Sequence, residues 1–281
     1  MRIGLDVGGT HTDAVLMDGS QVIARVKATT TEDVASGIEA ALASVLEGQS
    51  PASVDLLTIG TTQFTNAVVE RRQLSQVAAV RVCLPAGRGL MPRADWPTDL
   101  IEATDGGSYL IHGGHLYDGR ELSALQEVEL SALTQTLSET QPAAVVVSCA
   151  FSPTQPEQED HLVARLAESV PGGRGRASHV MGGLGLIERE NASILNASLL
   201  DFADHVANAL VESSTKLGLQ CPVYVSQNDG TLIDLERVRQ FPALTFASGP
   251  TNSIRGAWAL TGLADAIVID VGGTTSDIGV L

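Results

Sequence analysis

The stretch DVGGTHTD runs from Asp6 to Asp13, and a near copy, DVGGTTSD, runs from Asp270 to Asp277, close to the other end of the chain. Six of the eight positions are identical, and the differing ones (His11/Thr275 and Thr12/Ser276) carry small or hydrogen-bonding side chains. Apolar, strand-like runs flank each glycine pair, so each copy reads as two antiparallel strands joined by a Gly-Gly turn. Such a turn presents bare N–H groups that bind anions, phosphate above all. On this reading Gly8 and Gly9 supply the backbone donors. Thr10 and Thr12, with His11 between them, supply side-chain groups. Asp6, at a strand end, is placed to hold Mg²⁺, commonly through water, while Asp13 braces the turn. The same assignments apply to Asp270, Gly272, Gly273, Thr274, Thr275 and Asp277. One such turn is equally well a plain hairpin with an Asx turn. Two copies that each keep both aspartates favour a pair of phosphate loops gripping one polyphosphate from two sides.

The rest of the chain fits that frame. The N-terminal third reads β-β-β-α-β-α-β, a mixed sheet with helices on its faces. The first 82 residues are expected to form a three-stranded antiparallel start followed by two parallel strands. Residues 85–120, rich in Gly, Pro and Asp, read as an irregular insert. Further α/β units follow: a helix at 122–138, a strand at 143–151 and a helix at 155–169. Residues 186–217 read as one long helix closed by Gly218. Then come the strand PVYVSQNDG, the helix SGPTNSIRGAWALTG and the second hairpin. The domain expectation is residues 1–180 followed by 181–281.

Composition narrows the function. A formal charge of −16 over 281 residues argues against a nucleic-acid backbone as partner. The three cysteines are far apart without metal spacing, which favours a reducing, cytoplasmic compartment. The start is not a signal peptide, and runs such as AAVVVSCAF are too short to span a bilayer.

The paired loops resemble those of the actin-like ATPase superfamily. The stretches IGTTQFTNAVVER, GGHLYDGREL, FSPTQPEQE, GGLGLIERENASILNASL, SQNDGTLID and FASGPTNSIRGAWALTGLADAIVIDVGGTTSDIGVL together resemble the hydantoinase/5-oxoprolinase family, A-subunit type. The resemblance implies an α/β, actin-like (ribonuclease H-like) fold with an additional α/β region and the opening hairpin of a second such domain. It also implies ATP and Mg²⁺ as cofactors, ATP-dependent opening of a cyclic amide such as a hydantoin or 5-oxoproline, and a B-type partner subunit; a homo-oligomer is open. A small-molecule kinase of the same superfamily and a non-catalytic nucleotide-binding subunit are the alternatives.

Other polar groups admit both a plain and a functional reading. Thr61 or Thr62 caps a helix, with Asn66 one turn on; capping alone explains them, and the resemblance adds a phosphate (Thr62) or substrate (Asn66) contact. Glu188, Asn191, Leu195, Leu199, Phe202 and Val206 share a helical face, so Glu188 and Asn191 are expected to be buried, as an internal clamp or on the substrate side, with Arg189 and Glu190 pointing elsewhere. Asn228 and Asp229 form an Asx-Gly turn or place a catalytic carboxylate near the metal or the reacting carbonyl. Gly249, an N-cap hydroxyl and Asn252 open another helix and offer a substrate or anion contact. His112, His115 and Asp118 include metal-ligand residue types, but their spacing fits a flexible loop better than a rigid site.

Chains of the resembled family continue well past the second loop, whereas this one ends at Leu281, so a naturally short homologue or a fragment is expected. Its nucleotide affinity should then come mainly from phosphate contacts and Mg²⁺. The expected result of calorimetric titration with ATP, GTP and ADP is weak binding with little choice between purines, and no turnover by this chain alone. Tight, adenine-selective binding is the contrary outcome.

Overall fold

The computed structural model describes residues 1–9, 11–29, 34–271 and 276–281. In chain order the strands are β1 (Arg2–Val7), β2 (His11–Asp18), β3 (Gln21–Thr29), β4 (Leu56–Thr61), β5 (Val77–Leu84), β6 (Asp105–His112), β7 (Ala144–Cys149), β8 (Gly175–Ala177), β9 (Val223–Ser226), β10 (Leu232–Asp234), β11 (Ile267–Val271) and β12 (Ser276–Val280). The helices are α1 (Val34–Val45), α2 (Gln63–Glu70), α3 (Thr98–Thr104), α4 (Glu127–Thr140), α5 (Glu157–Ala167), α6 (Leu186–Ser198), α7 (Leu200–Lys216), α8 (Leu235–Gln240) and α9 (Ser248–Thr261). One compact unit takes Met1–Val69 and Phe202–Leu281; the other takes Glu70–Asp201.

The first unit holds a mixed sheet in the order β10-β9-β4-β1-β2-β3. The hairpins β1–β2 and β2–β3 are antiparallel, and β4 lies parallel to β1. Alternation decides the faces: Ile3, Leu5 and Val7 of β1 and Ala14 and Leu16 of β2 are buried, while the residues between them face outward. Helices α2 and α7 meet in this core, where Phe64 stands edge-on to Phe202 at 5.4 Å between centroids. Strands β11 and β12 pair only with each other among the described residues. Ile267, Ile269, Val271, Ile278 and Val280 of that hairpin are exposed.

The second unit is built on the sheet β6-β5-β7-β8, with every pairing parallel. β5 and β7 are buried along their whole length, as their largely apolar runs, interrupted by Arg81 and Ser148, suit in a sheet covered on both faces. β5 therefore does not extend the first sheet, contrary to the expectation of two parallel strands there. The chain turns away between α2 and β5, where Arg71 and Gln73 take left-handed conformations (φ 57° and 56°) without a glycine to signal it. The supposedly irregular stretch 85–120 contains α3 and the edge strand β6, whose opening Asp-Gly-Gly reads as a turn. A hairpin strand, β10, and α8 also follow the turn after β9.

The expected single helix over 186–217 is two helices. Leu199 interrupts it, its N–H bonding back to Asn196 and Ala197, and the Ser198 hydroxyl takes the Leu195 carbonyl, a competition that bends helices. The inward face of α6 also differs from expectation. Ile194 and Ala197 pack on Val77, Ala79, Ala144 and Val146, and Glu190 lies one turn before Ile194 on that face. Glu190 and Arg189 are thus buried, Glu188 is exposed and Asn191 is half-buried.

Those buried charges are fully engaged. Arg81 of β5 donates to Glu190 from Nε (2.8 Å) and from a terminal nitrogen (2.5 Å), and Ser148 of β7 donates to the same carboxylate. Arg189 donates to the Cys149 carbonyl and to Ser152 and Ser178. Glu159 accepts from the Cys149 and His179 N–H groups and from Ser152, Ser178 and the His179 ring. Removing one partner of such a pair strands a charge in low dielectric. Glu190→Gln is expected to lower stability by ~3–5 kcal/mol in urea unfolding, with much of the loss recovered in the double variant Arg81→Met/Glu190→Leu. No change in the Glu190→Gln midpoint would contradict this.

Candidate functional site

The site grows from the β1–β2 turn. Gly8 N–H donates to the His11 carbonyl at 3.0 Å, so it closes the hairpin and is not the bare anion donor the sequence suggests. The turn is fixed from behind by the β4–α2 junction. Thr62 N–H donates to the Val7 carbonyl (3.3 Å) and Gln63 Nε2 to the Gly8 carbonyl (3.2 Å). Thr61 supplies the cap of α2, its hydroxyl oxygen accepting the Gln63 N–H at 3.1 Å. Asn66, one turn into α2, donates to the Thr62 hydroxyl at 3.4 Å. Its Nδ2 stands only 3.0 Å from where a side chain on Gly9 would begin, so Gly9 is needed for the close approach of turn and helix.

Cross-strand register places the carboxylates. Asp6 is directly opposite Asp13 on β2 and beside Gly60 on β4. A β carbon on Gly60 would stand 3.2 Å from Asp6 Oδ1 and 3.0 Å from Asn252 Nδ2. The bare backbone at Gly60 thus leaves room for Asp6 and Asn252 to converge. Asn252 rides on α9, which is entered through Ala247 in a left-handed conformation (φ 54°). Ser248, the first residue of α9, has its hydroxyl directed at the Thr61 carbonyl (3.5 Å); it ties the helix to β4 and is not the N-cap the sequence suggests. The next residue after Asn252, Ser253, donates to Asp270 Oδ2 at 2.5 Å. α9 therefore reaches both hairpins, with Asn252 beside the open space over Gly60 that Asp6 also borders and Ser253 bonded to Asp270. Asp270 is directly opposite Asp277, repeating the Asp6–Asp13 pair.

The aspartates feel one another. Although part of the Asp6 side chain is open to solvent, its surroundings push its pKa above the ordinary 3.8: loss of hydration first, then the charges of Asp13 and Asp270, with Lys27 opposing. Asp13 forms an ion pair with Lys27 (3.4 Å) rather than bracing the turn through the backbone alone. His11 is exposed, whereas Thr12 is fully buried on the other face of β2. Thr10, Gly272, Gly273, Thr274 and Thr275 lie outside the described residues.

Two family models match the chain: the hydantoinase/oxoprolinase N-terminal region over residues 2–170 and hydantoinase/oxoprolinase over residues 189–281. The chain belongs to the hydantoinase/oxoprolinase family. Among curated relatives, caprolactamase subunit alpha of Pseudomonas jessenii is 27% identical over 303 residues, covering 99% of this chain and 43% of the relative. An uncharacterised Methanocaldococcus jannaschii protein is 24% identical over 296 residues, covering 98% and 42%. The chain thus spans less than half the length of these relatives. Among solved structures, a nucleotide-free acetone carboxylase superposes with a TM-score of 0.82 at 20% identity, and the ATP-dependent caprolactamase of P. jessenii with 0.79 at 24%. Each covers 100% of this chain and 43% of the other. The fold is α/β, and it is the fold of these two solved structures.

Within this family member the remaining expected site residues lie elsewhere. Asp229 is an exposed turn carboxylate that accepts from the Thr231 N–H and hydroxyl (2.8 and 2.7 Å), which holds its pKa below the usual range. The neighbouring Asn228 carbonyl accepts from Thr251, and Arg255 donates to the Gly230 carbonyl, so this turn is fastened to α9. Glu188 and Asn191 belong to the second unit, where Asn191 donates to Asp95 at 3.2 Å. His112 meets Glu129 at 2.7 Å, His115 pairs with Glu121 in an isolated bridge and Asp118 pairs with Arg120. Among the described residues no three His, Cys, Asp or Glu side chains gather as a metal site, and no helix is long and apolar enough to cross a membrane. Gly60 and Lys27 are the site residues that motif reading missed, because they enter through strand register.

The raised Asp6 pKa has a stability consequence. The native state holds this proton more tightly than the unfolded chain, so the ionised carboxylate costs stability as pH rises above 3.8. Asp6→Asn is expected to melt above the parent at pH 7. The gap should close as pH falls toward 3.8. A variant that melts lower than the parent at pH 7 would count against this electrostatic account.

Proposed function

We propose that this chain is the nucleotide-binding part of an ATP-dependent hydrolase of cyclic amides. The observation that carries the reading is that Asp6 and Asp270, each the first aspartate of a glycine-turn hairpin, lie by adjacent residues of one helix: Asn252 borders the space over Gly60 together with Asp6, and Ser253 bonds to Asp270. Membership of the hydantoinase/oxoprolinase family and the likeness to a caprolactamase alpha subunit support it. The donor set suits a metal–polyphosphate ligand: hard carboxylate oxygens for Mg²⁺, a side-chain-free floor at Gly60, and a helix N-terminus at α9 for anionic charge.

Asp6 and Asp270 would hold Mg²⁺. The first turn and the Thr62–Asn66 pair would hold phosphate oxygens. ATP, when bound, supplies a phosphoryl group that turns the poor leaving oxygen of an amide carbonyl into a good one. The protein's part is positional. Thr62 and Gln63 pin the turn to α2, and α9 sets the spacing of the two aspartates. Asn252 offers an uncharged contact at their meeting point. Small errors in such spacing are expensive, because oriented contact is the main source of rate in phosphoryl transfer. A partner subunit of the B type would complete ring opening.

The test is ADP release by this chain with a B-type partner, across caprolactam, hydantoin and 5-oxoproline. Ring-dependent ADP release with an opened, unphosphorylated product is expected. Asp6→Ala should reduce it by more than about a hundredfold, since a metal contact is worth several kcal/mol in the transition state, while circular dichroism stays unchanged. A stable phosphorylated product would point to a kinase, and nucleotide binding without turnover to a sensing subunit.

A further inference from the structure

Two register pairings line up three charged side chains across the first sheet. Asp6 on β1 faces Asp13 on β2, and Asp13 faces Lys27 on β3. Side chains directly opposite in antiparallel strands share a face, so Asp6, Asp13 and Lys27 form a row just beyond the turn. Lys27 Nζ is 3.4 Å from Asp13 Oδ2, and its side chain is 63% exposed. That is long for a charge-assisted hydrogen bond, and exposed pairs of this kind contribute little to stability. The pair therefore does not explain why a lysine stands there.

Composition sharpens the question. The chain has 15 arginines and only two lysines, Lys27 and Lys216. Lys216 pairs with Glu39. Arginine suits fixed, bidentate pairs, and this chain uses it so at Arg81; lysine is a compact charge on a flexible stem that can change partners. The surroundings also call for a cation. Asp13 and Asp270 both act on Asp6, and Lys27 is the group that offsets them. Three carboxylates would repel a polyphosphate unless cations enter with it. Arg25 shares the Lys27 face but sits two residues further from the turn, about 6.6 Å along the strand.

We propose that Lys27 is a phosphate-contacting residue of this site, resting against Asp13 in the free protein and moving to the terminal phosphate of a bound nucleotide. The inference rests on the phosphate-site reading above and adds a contact which that reading does not require.

Calorimetric titration of the 281-residue chain with Mg-ATP and with magnesium pyrophosphate tests it. Lys27→Met should weaken both about tenfold, and Lys27→Arg should stay within about threefold of the parent. The double variant Asp13→Asn/Lys27→Met separates contact from simple neutralisation. If Lys27 touches phosphate, the double variant remains weak; if it only neutralises Asp13, affinity returns and the proposal is overturned. Parent-like affinity in Lys27→Met also overturns it, leaving the phosphate site intact. A parent chain that binds neither ligand would remove the phosphate site and Lys27's role together.

Discussion

The hydrogen bond from Gly8 N–H to the His11 carbonyl closes the first hairpin, and the positions of the neighbouring charges follow from it. A hairpin shifted by one residue would send every side chain to the opposite face. Asp6 would then enter the core while Ile3 and Leu5 were turned out to solvent. With the observed register, Asp6 is fixed against Asp13 on one side and the bare Gly60 on the other. β4 then delivers Thr61 and Thr62 to the back of the turn, and α9 docks over Gly60.

The two units meet the cost of buried polarity differently. In the second unit, charges are withdrawn from water and saturated: Glu190 and Glu159 accept hydrogen bonds from several directions, and Arg81 and Arg189 donate to carboxylate, hydroxyl and carbonyl oxygens. Such networks fix a geometry and leave little capacity for a ligand. In the first unit, Asp6, Asp13 and Asp270 gather with fewer partners, and burial with the charges of the other two raises the affinity of Asp6 for its proton. Like charges held together at a stability cost are typical of a binding site and atypical of a scaffold.

Much of this was legible in the sequence because two signals coincided. The duplicated Asp-Val-Gly-Gly-Thr stretch carried both a turn and a strand pattern, and the hairpins lie where that pattern places them. Asp6, Asp270, Thr62, Asn66 and Asn252 belong to elements that meet in the first unit. What the sequence hid were effects of tertiary pairing. Gly60 and Lys27 matter because β4 and β3 lie beside β1 and β2, and no local motif marks them. Hydrophobic periodicity points to the wrong face of α6 because it assumes that ions point outward, whereas Arg81 and Ser148 give Glu190 partners inside. β6 was hidden by opening on Asp-Gly-Gly, and the departure of β5 by left-handed turns built from Arg71 and Gln73.

The second unit leaves the first after Val69 and returns at Phe202, and its two ends are tied together. Ser75 N–H donates to the Ser198 carbonyl at 2.8 Å, and the Ser75 hydroxyl donates to Asp201 at 2.6 Å. A long insertion normally burdens its host with the entropy of closing a loop. Here the folded insertion has already brought its ends together, so its host meets only a short connection. The second unit is in this sense a cassette: a compact insertion with its two ends held together, whose length can change without altering the chain entropy of the sheet that carries Asp6.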